Sequence, residues 1–191
     1  SMNNLEPVDL GGVCSNYSSN TQSNCTTAGE TWTPFTATYI STGYFHTCAI
    51  LNTGDLKCWG HNTHGQLGQE NNNSIGTSSS QMGNNLLPIK IGPARKIKQV
   101  STGDDHTCAL LDNGRIKCFG NNQYGQLAIP DVAKHGNGSN QMGSNLPYVN
   151  LGQDALGTPL QAVSVSVGHL HSCAVINDGS AKCWGHNSYG Q

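Results

Sequence analysis

A 22-residue block occurs three times in this chain, and self-similarity at a fixed offset decides a fold before local propensity does. Ser41–Asn62 returns as Ser101–Asn122 and again as Ser166–Asn187. Each copy keeps a Gly, then His-[Thr/Ser]-Cys-Ala, a turn ending in Gly, and Lys-Cys-[Trp/Phe]-Gly followed by Asn. Gly-Gln closes each one, at Gly65-Gln66, Gly125-Gln126 and Gly190-Gln191. A chain built this way is a repeat protein.

The block predicts a β-hairpin of defined register. If Cys48 faces Cys58, then Ile50 faces Leu56, Thr47 faces Trp59 and His46 faces Gly60. The loop left over is Asn52-Thr53-Gly54, with Asp112-Asn113-Gly114 and Asn177-Asp178-Gly179 as counterparts. Three-residue hairpin loops want a left-handed residue at the third position, and Gly supplies it each time. Turn chemistry and cysteine spacing therefore point to one register. Cysteines opposed on a ladder suit a disulfide best at a non-hydrogen-bonded position.

Eight cysteines fall into four local pairs: Cys14 with Cys25, Cys48 with Cys58, Cys108 with Cys118, and Cys173 with Cys183. Even number and regular spacing predict disulfides and an oxidising compartment: extracellular, cell surface or periplasmic. Two alternatives stand beside this. A zinc site would need Cys-x₂₋₄-Cys knuckles, which the chain lacks. Small buried hydrophobes would fit the face that Cys48 shares with Ile50 and Leu56.

Only 10% of residues are charged and the formal net charge is −2, with no run of Lys or Arg. That balance predicts no nucleic-acid partner. No stretch approaches 18 apolar residues, so no membrane insertion is expected. Ser1-Met2 reads as a tag remnant. Residues 1–30 read as an irregular linker or cap stapled by Cys14 and Cys25, and residues 31–191 as the repeats, about two full units and a partial third. A strand pattern starts at Thr31 (Trp32, Phe35, Ala37, Tyr39, Ile40), with Pro34 placing any central strand after it. Gly43, Gly103 and Gly168 lie 60 and then 65 residues apart. Four short strands and a loop fit that length, which is a propeller blade and not a solenoid turn. The fold class expected is all-β.

The motif Gly43…His46-Thr47-Cys48-Ala49…Gly54…Lys57-Cys58-Trp59-Gly60…Asn62…Gly65-Gln66-Leu67-Gly68 resembles the regulator-of-chromosome-condensation type of β-propeller repeat. Within that family it looks most like the cysteine-containing bacterial subgroup of surface and secreted proteins. The resemblance covers about residues 36–191 and implies a propeller, typically seven-bladed. The namesake is a nuclear exchange factor that docks on chromatin, whereas others of this type only bind proteins, so the fold leaves the task open. A three-blade arc would leave strand edges open. Either the arc is a slice of a longer propeller, or two or three identical chains close a six- or nine-bladed homo-oligomer.

For chemistry the residues offer little. His46, His106 and His171 share one repeat position and should sit a blade apart, each packed or hydrogen-bonded within its own blade. They would not converge on an ion as zinc requires. His61 and His186 read as turn residues. His64, Tyr124 and Tyr189 read as packing between blades, and Asp104-Asp105 as a solvated acidic pair. No catalytic, cofactor-binding or metal-binding residue is expected, and the chain does not read as an enzyme. Recognition remains, through rigid blades with variable loops. The connections Gln66–Pro88 and Gln126–Pro147 share Gln-Met-Gly-[Asn/Ser]-Asn-Leu and otherwise differ. Their candidate binding residues are Gln69, Glu70, Asn71, Asn72, Asn73, Gln81 and Asn84, then His135, Asn137, Asn140 and Gln141. Such amides suit a protein surface or a carbohydrate. The expected function is an extracellular recognition or adhesion module with a protein or glycan ligand, and the alternative is a spacer or assembly domain of a larger surface protein. Exchanging the loops within them, about Gln69–Asn85 and Ile129–Asn145, for short turns is expected to abolish binding and keep the fold.

Overall fold

The computed structural model describes residues 6–16, 21–92, 95–131 and 133–191. In chain order the elements are β1 (Gly12–Cys14), α1 (Gln22–Thr27), β2 (Trp32–Pro34), β3 (Ala37–Thr42), β4 (His46–Leu51), β5 (Leu56–Gly60), β6 (Ile97–Thr102), β7 (His106–Leu111), β8 (Ile116–Gly120), β9 (Ala162–Val167), β10 (His171–Ile176) and β11 (Ala181–Gly185). They form one two-stranded pair, β1-β2, and three antiparallel sheets ordered β3-β4-β5, β6-β7-β8 and β9-β10-β11. Each three-stranded sheet is one blade.

The expected register holds in every blade. Cys48 pairs with Cys58, Ile50 with Leu56, Thr47 with Trp59 and His46 with Gly60. Cys108 stands opposite Cys118 in the second blade, and Cys173 opposite Cys183 in the third. The Leu51 N–H donates to the Asp55 carbonyl at 2.8 Å, which leaves Asn52-Thr53-Gly54 as the loop. Gly54, Gly114 and Gly179 take φ of 86°, 73° and 87°.

Disulfides join all four expected pairs: Cys14 to Cys25, Cys48 to Cys58, Cys108 to Cys118, and Cys173 to Cys183. The three blade pairs have Cα–Cα distances of 4.1, 4.1 and 4.0 Å. Those separations lie near the roughly 4.5 Å of a non-hydrogen-bonded pair and far from the roughly 5.5 Å of a bonded one. Cys48, Cys58, Cys108 and Cys118 are also buried in the core, whereas in the last blade Cys173 is half-buried and Cys183 exposed. The bridge and the buried-hydrophobe readings therefore coincide in the first two blades, and the third blade keeps the bridge without full burial.

Two expectations need correction. Blades hold three strands, not four. The fourth place is taken by the following connection, which makes one bridge near the end of the outer strand (Gly60 with Ile75, Gly120 with His135). It then returns antiparallel, with Ile89 N–H donating to Leu56 O and Val149 N–H to Ile116 O, both at 2.8 Å. The outer edges of the first two blades are therefore covered. The second correction concerns the loop exchange. Met142 is buried in the core, and Ile75 and Ile129 pack against it, so exchanging the loops for short turns would remove core contacts and destabilise the fold.

The N-terminal segment is more regular than its composition suggests. The strand expected from Thr31 divides in two: Trp32–Pro34 pairs with β1, and Ala37–Thr42 enters the first blade. Thr21 caps α1 by accepting from Asn24 N–H, and Asn84 exchanges two hydrogen bonds with the Gly12 backbone. Gly83 N–H donates to Asp9 O at 3.0 Å, as Gly143 N–H does to Lys90 O at 2.7 Å. Lys57 Nζ donates to Leu10 O and Gly83 O, both at 2.9 Å. Lys117 Nζ donates to Gly143 O, and Lys182 Nζ to Leu151 O, both at 2.6 Å. Burial lowers the pKa of both Lys57 and Lys117. Val8-Asp9-Leu10-Gly11 thus stands to the first blade as Ile89-Lys90-Ile91-Gly92 stands to the second, and as Val149-Asn150-Leu151-Gly152 stands to the third. Residues 12–35 are an excursion inserted after that segment.

Apolar residues pack between blades. One cluster joins the first two sheets through Ile50, Leu56, Val100, Ala109 and Phe119. The other joins the second and third through Leu110, Ile116, Val165, Ala174 and Ile176. Fully burying such a side chain stabilises by about 1.5–3 kcal/mol, so the seams carry much of the hydrophobic stabilisation.

Candidate functional site

The histidines at the start of the middle strands bridge blades. His46 Nε2 lies 2.7 Å from Thr107 Oγ1 in the second blade, and Thr107 Oγ1 donates to Gln66 O at 2.9 Å. His106 Nε2 lies 2.9 Å from Ser172 Oγ in the third, whose hydroxyl donates to Gln126 O at 3.1 Å. Since each hydroxyl proton is spent on a Gln carbonyl, the imidazole Nε2–H must be the donor to the hydroxyl oxygen. Burial pushes the pKa of His46 down to about 4 and that of His106 to about 3. Both are neutral at neutral pH. The expectation of a bond within the blade is corrected: the His-[Thr/Ser] dipeptide reads across the seam, His from one blade and hydroxyl from the next.

Glycines let the seam close. A Cβ on Gly43 would lie 2.2 Å from Gly103 O, and one on Gly103 would lie 2.5 Å from Gly168 O. Neither glycine has positive φ; the requirement is space. The Tyr44 N–H donates to Gly103 O at 3.3 Å, so the three turns are set side by side at one end of the inner strands.

Each turn then presents two side chains that differ between repeats: Tyr44-Phe45, Asp104-Asp105 and His169-Leu170. Asp105 accepts from Gln66 Nε2 at 2.9 Å, with His61 Nδ1 at 3.9 Å and His64 Nε2 at 3.7 Å. Asp104 pairs with His169 Nε2 at 3.1 Å. Burial lowers the His64 pKa against the opposing pull of Asp105. Tyr44 is exposed and meets Phe45 edge-on at 4.4 Å. Asp104-Asp105 is therefore an engaged acidic centre shared by three blades and not a free solvated pair. The sequence held a signal, because these two positions change in character between repeats directly before the constant His-[Thr/Ser]-Cys-Ala, although the hairpin loops (Thr53, Asn113, Asp178) vary as well. His64 and Tyr124 do act between blades, Tyr124 meeting His186 at 4.9 Å.

The connection residues divide by task. Gln81 Oε1 accepts from the Gly76 and Thr77 backbones, and Gln141 Oε1 from Gly136, Asn137 and Gly138. Asn71 ties down Asn73 and Asn62, and Gln69 Nε2 donates to Leu87 O. Glu70 accepts from Met142 N–H, which lowers its pKa, and pairs with Lys90 at 3.5 Å. His135 lies 3.3 Å from Asp131, and Asn84 holds the N-terminal segment. Asn137 is half-buried, and its Oδ1 meets no hydrogen-bond partner among the described residues. Asn72, Asn73 and Asn140 are exposed. Among the described residues, Cys14, Cys25 and Glu30 lie close enough to share a metal, but both sulfurs are spent in one disulfide.

Three-stranded blades set side by side around a row of inner strands define part of a β-propeller. The chain matches the "Regulator of chromosome condensation (RCC1) repeat" over residues 37–66, 97–126 and 162–191, and over 53–110 in a second version of that profile. It belongs to that repeat family. It is 29% identical over 152 residues to the ultraviolet-B receptor UVR8 of Arabidopsis thaliana, covering 79% of this chain and 30% of the relative. It is 27% identical over 154 residues to protein RCC1 of Candida albicans, covering 77% and 31%. Among solved structures, Prp20p from Saccharomyces cerevisiae superposes with a TM-score of 0.53 at 23% identity, covering 79% of this chain and 33% of that one. The chain thus spans about a third of the length of these relatives, and the structural likeness speaks for the fold.

Proposed function

We propose that this protein is an extracellular recognition module of the cysteine-containing bacterial surface type, and that its ligand is a protein. One observation carries the reading. At one structural position the three repeats place an aromatic pair, an acidic pair and a His-Leu pair, while the His, Cys and Gly around them stay constant. A rigid repeat that varies a row of side chains beside its constant His, Cys and Gly is organised for binding there, as variable positions on rigid repeats are. The four disulfides support an oxidising compartment. The structure of Prp20p carries a title describing its binding to Gsp1p and histones, and RCC1-type repeats as protein-binding elements fit the same role here. Asn72, Asn73 and Asn140, exposed on the connections, are further candidate contacts.

The spacer or assembly reading gains from one observation: most connection amides are turned inward to hold loops. A glycan ligand, which would draw on those same amides, is weakened by it. The test is a protein and glycan array probed with the protein, with a double variant (Asp104→Ala with Asp105→Ala), and with a triple variant (Asn72→Ala, Asn73→Ala and Asn140→Ala). A protein ligand lost on the double variant supports the reading. No ligand at all favours the spacer, and a ligand bound equally by every variant refutes this surface.

A further inference from the structure

The largest departure from the repeat plan is residues 12–35. The first connection segment ends at Gly11 and the inner strand β3 starts at Ala37, with 25 residues between them. Gly92 and Ile97 of β6 are separated by 4 residues, and Gly152 and Ala162 of β9 by 9. The excursion is held in place at two points. Cys14 and Cys25 staple it, and Asn84 exchanges two 2.9 Å hydrogen bonds with the Gly12 backbone. At the position of Asn84 the second connection has Ser144, which is exposed. An insertion in one unit of a rigid array is a common carrier of function, so what this one encloses is informative.

It closes a cavity of about 220 Å³ against the first connection. Gln22 and Trp32 come from the excursion, Asp9 from the segment before it, and Ser79 and Asn85 from the connection. Two glycines make the room. A Cβ on Gly12 would lie 2.6 Å from the Trp32 ring, and one on Gly83 would lie 2.6 Å from Asp9 Oδ2. Gly143, the counterpart of Gly83, meets nothing within 4 Å of a Cβ position, so the second connection has no such wall. Asp9 Oδ1 accepts from Gly11 N–H at 2.8 Å, which fixes the carboxylate and leaves Oδ2 unspent among the described residues. The Gln22 amide, the Ser79 hydroxyl and the Trp32 indole N–H also make no hydrogen bond among the described residues. Asn85 spends its Nδ2 on Ser80 O at 3.0 Å.

At about 30 Å³ per water the cavity holds about seven waters, and it falls below the roughly 300 Å³ of drug-sized pockets. One small ring fits. With a carboxylate and no Lys or Arg among its described lining residues, it does not suit an anion. An ammonium would use Asp9 and the indole but has no acceptor for the Gln22 amide donors. A hydroxyl both donates and accepts, which matches the amides, the serine and the carboxylate together. The weakly positive C–H face of a sugar ring also lies well on the negative face of an indole. We propose that this cavity binds a single neutral hexose ring, with Trp32 as its platform and Asp9, Gln22, Ser79 and Asn85 as partners of its hydroxyls. Gln81 and Gln141, whose amides hold the loops, take no part. The site goes beyond the protein-ligand surface and shares no residue with the row of turn side chains, so either can fail alone.

Proton–nitrogen NMR of the disulfide-intact protein tests it, with glucose, galactose, mannose and N-acetylglucosamine each added to tens of millimolar, since millimolar affinity is expected of so small a ligand. At least one sugar should shift the Trp32 indole N–H signal saturably and leave that of Trp184, in the third blade, in place. Trp32→Phe identifies the signal by its loss. Asp9→Asn, which can still accept from Gly11, should weaken binding by about tenfold, and Gln22→Ala, on the surface, by about fivefold. No shift with any of the four sugars overturns the proposal. So does a shift that Asp9→Asn and Gln22→Ala both leave unweakened. Choline is the opposing probe: a cavity that takes choline and none of the sugars is an ammonium site, and the proposal fails.

Discussion

Replacing His46 and His106 together by Gln should flatten the acid side of the stability profile. In the folded chain burial holds these imidazoles at about 4 and about 3, against about 6.5 when unfolded. Below about pH 6.5 the unfolded chain takes up protons that the folded chain refuses. Stability from these groups is therefore full above that value and is lost as pH falls towards 4 and then 3. At pH 5.5, one unit below the unfolded value, each histidine should cost about 1.4 kcal/mol, or about 3 kcal/mol for the pair. Gln can still donate to Thr107 or Ser172 but does not titrate. Urea unfolding of the disulfide-intact protein at pH 7.5 and 5.5 measures the loss, and the double variant should lose about 3 kcal/mol less than the wild type. Equal losses in the two proteins would refute the assignment of a buried, neutral imidazole to each seam.

Three further outcomes follow from the blades. Replacing Cys108 and Cys118 together by alanine removes a staple across ten residues and should cost about 3 kcal/mol by loop-closure entropy; urea midpoints with and without the change check it. Gly103→Ala drives a methyl to 2.5 Å from Gly168 O and should cost about 1–3 kcal/mol by overpacking. Gly179→Ala has open space but φ of 87°, and should cost about 1 kcal/mol. If thermal melts rank the two glycines the other way, backbone conformation and not the seam sets the cost. Lys117→Met leaves Gly143 O without its buried donor and loses the ammonium over the Tyr148 ring at 4.6 Å. It should destabilise by about 1–3 kcal/mol, read by the same melts.

The hairpin was legible because two chemistries with no common cause, the cysteine spacing and the Gly-closed turn, agreed on one register. The seams were not legible. A period-2 pattern tells which face of a strand is apolar but not which neighbour covers it, so the His-[Thr/Ser] dipeptide was assigned to one blade. The missing fourth strand has a similar cause. Ile75 and Ile89 are separated by polar residues that read as loop, and only the fold shows that the two ends lie along β5. Val8-Asp9-Leu10-Gly11 could have been found, since it matches Val149-Asn150-Leu151-Gly152 in its Val-x-Leu-Gly pattern, but four residues outside the repeat give little to align. The site was legible in part. Variable positions on a rigid repeat point towards recognition, but chemical suitability draws the candidate list to amides that the loops use to hold themselves. The row of turn residues is one of the places where the aligned repeats disagree, beside the hairpin loop at Thr53, Asn113 and Asp178.

The segment Val8–Gly11 stands before the first blade, while its counterparts stand after the first and second. The boundary of the building unit therefore falls inside a connection and not between two sheets. A duplication or deletion of one whole unit, cut anywhere along that connection, would bring its own histidine to one seam and its own hydroxyl to the other. Blade number could then drift over evolutionary time without any seam being redesigned. The same offset gives a protein engineer a rule for lengthening or shortening the arc: splice at the Gly that follows the connection strand, and leave every sheet whole.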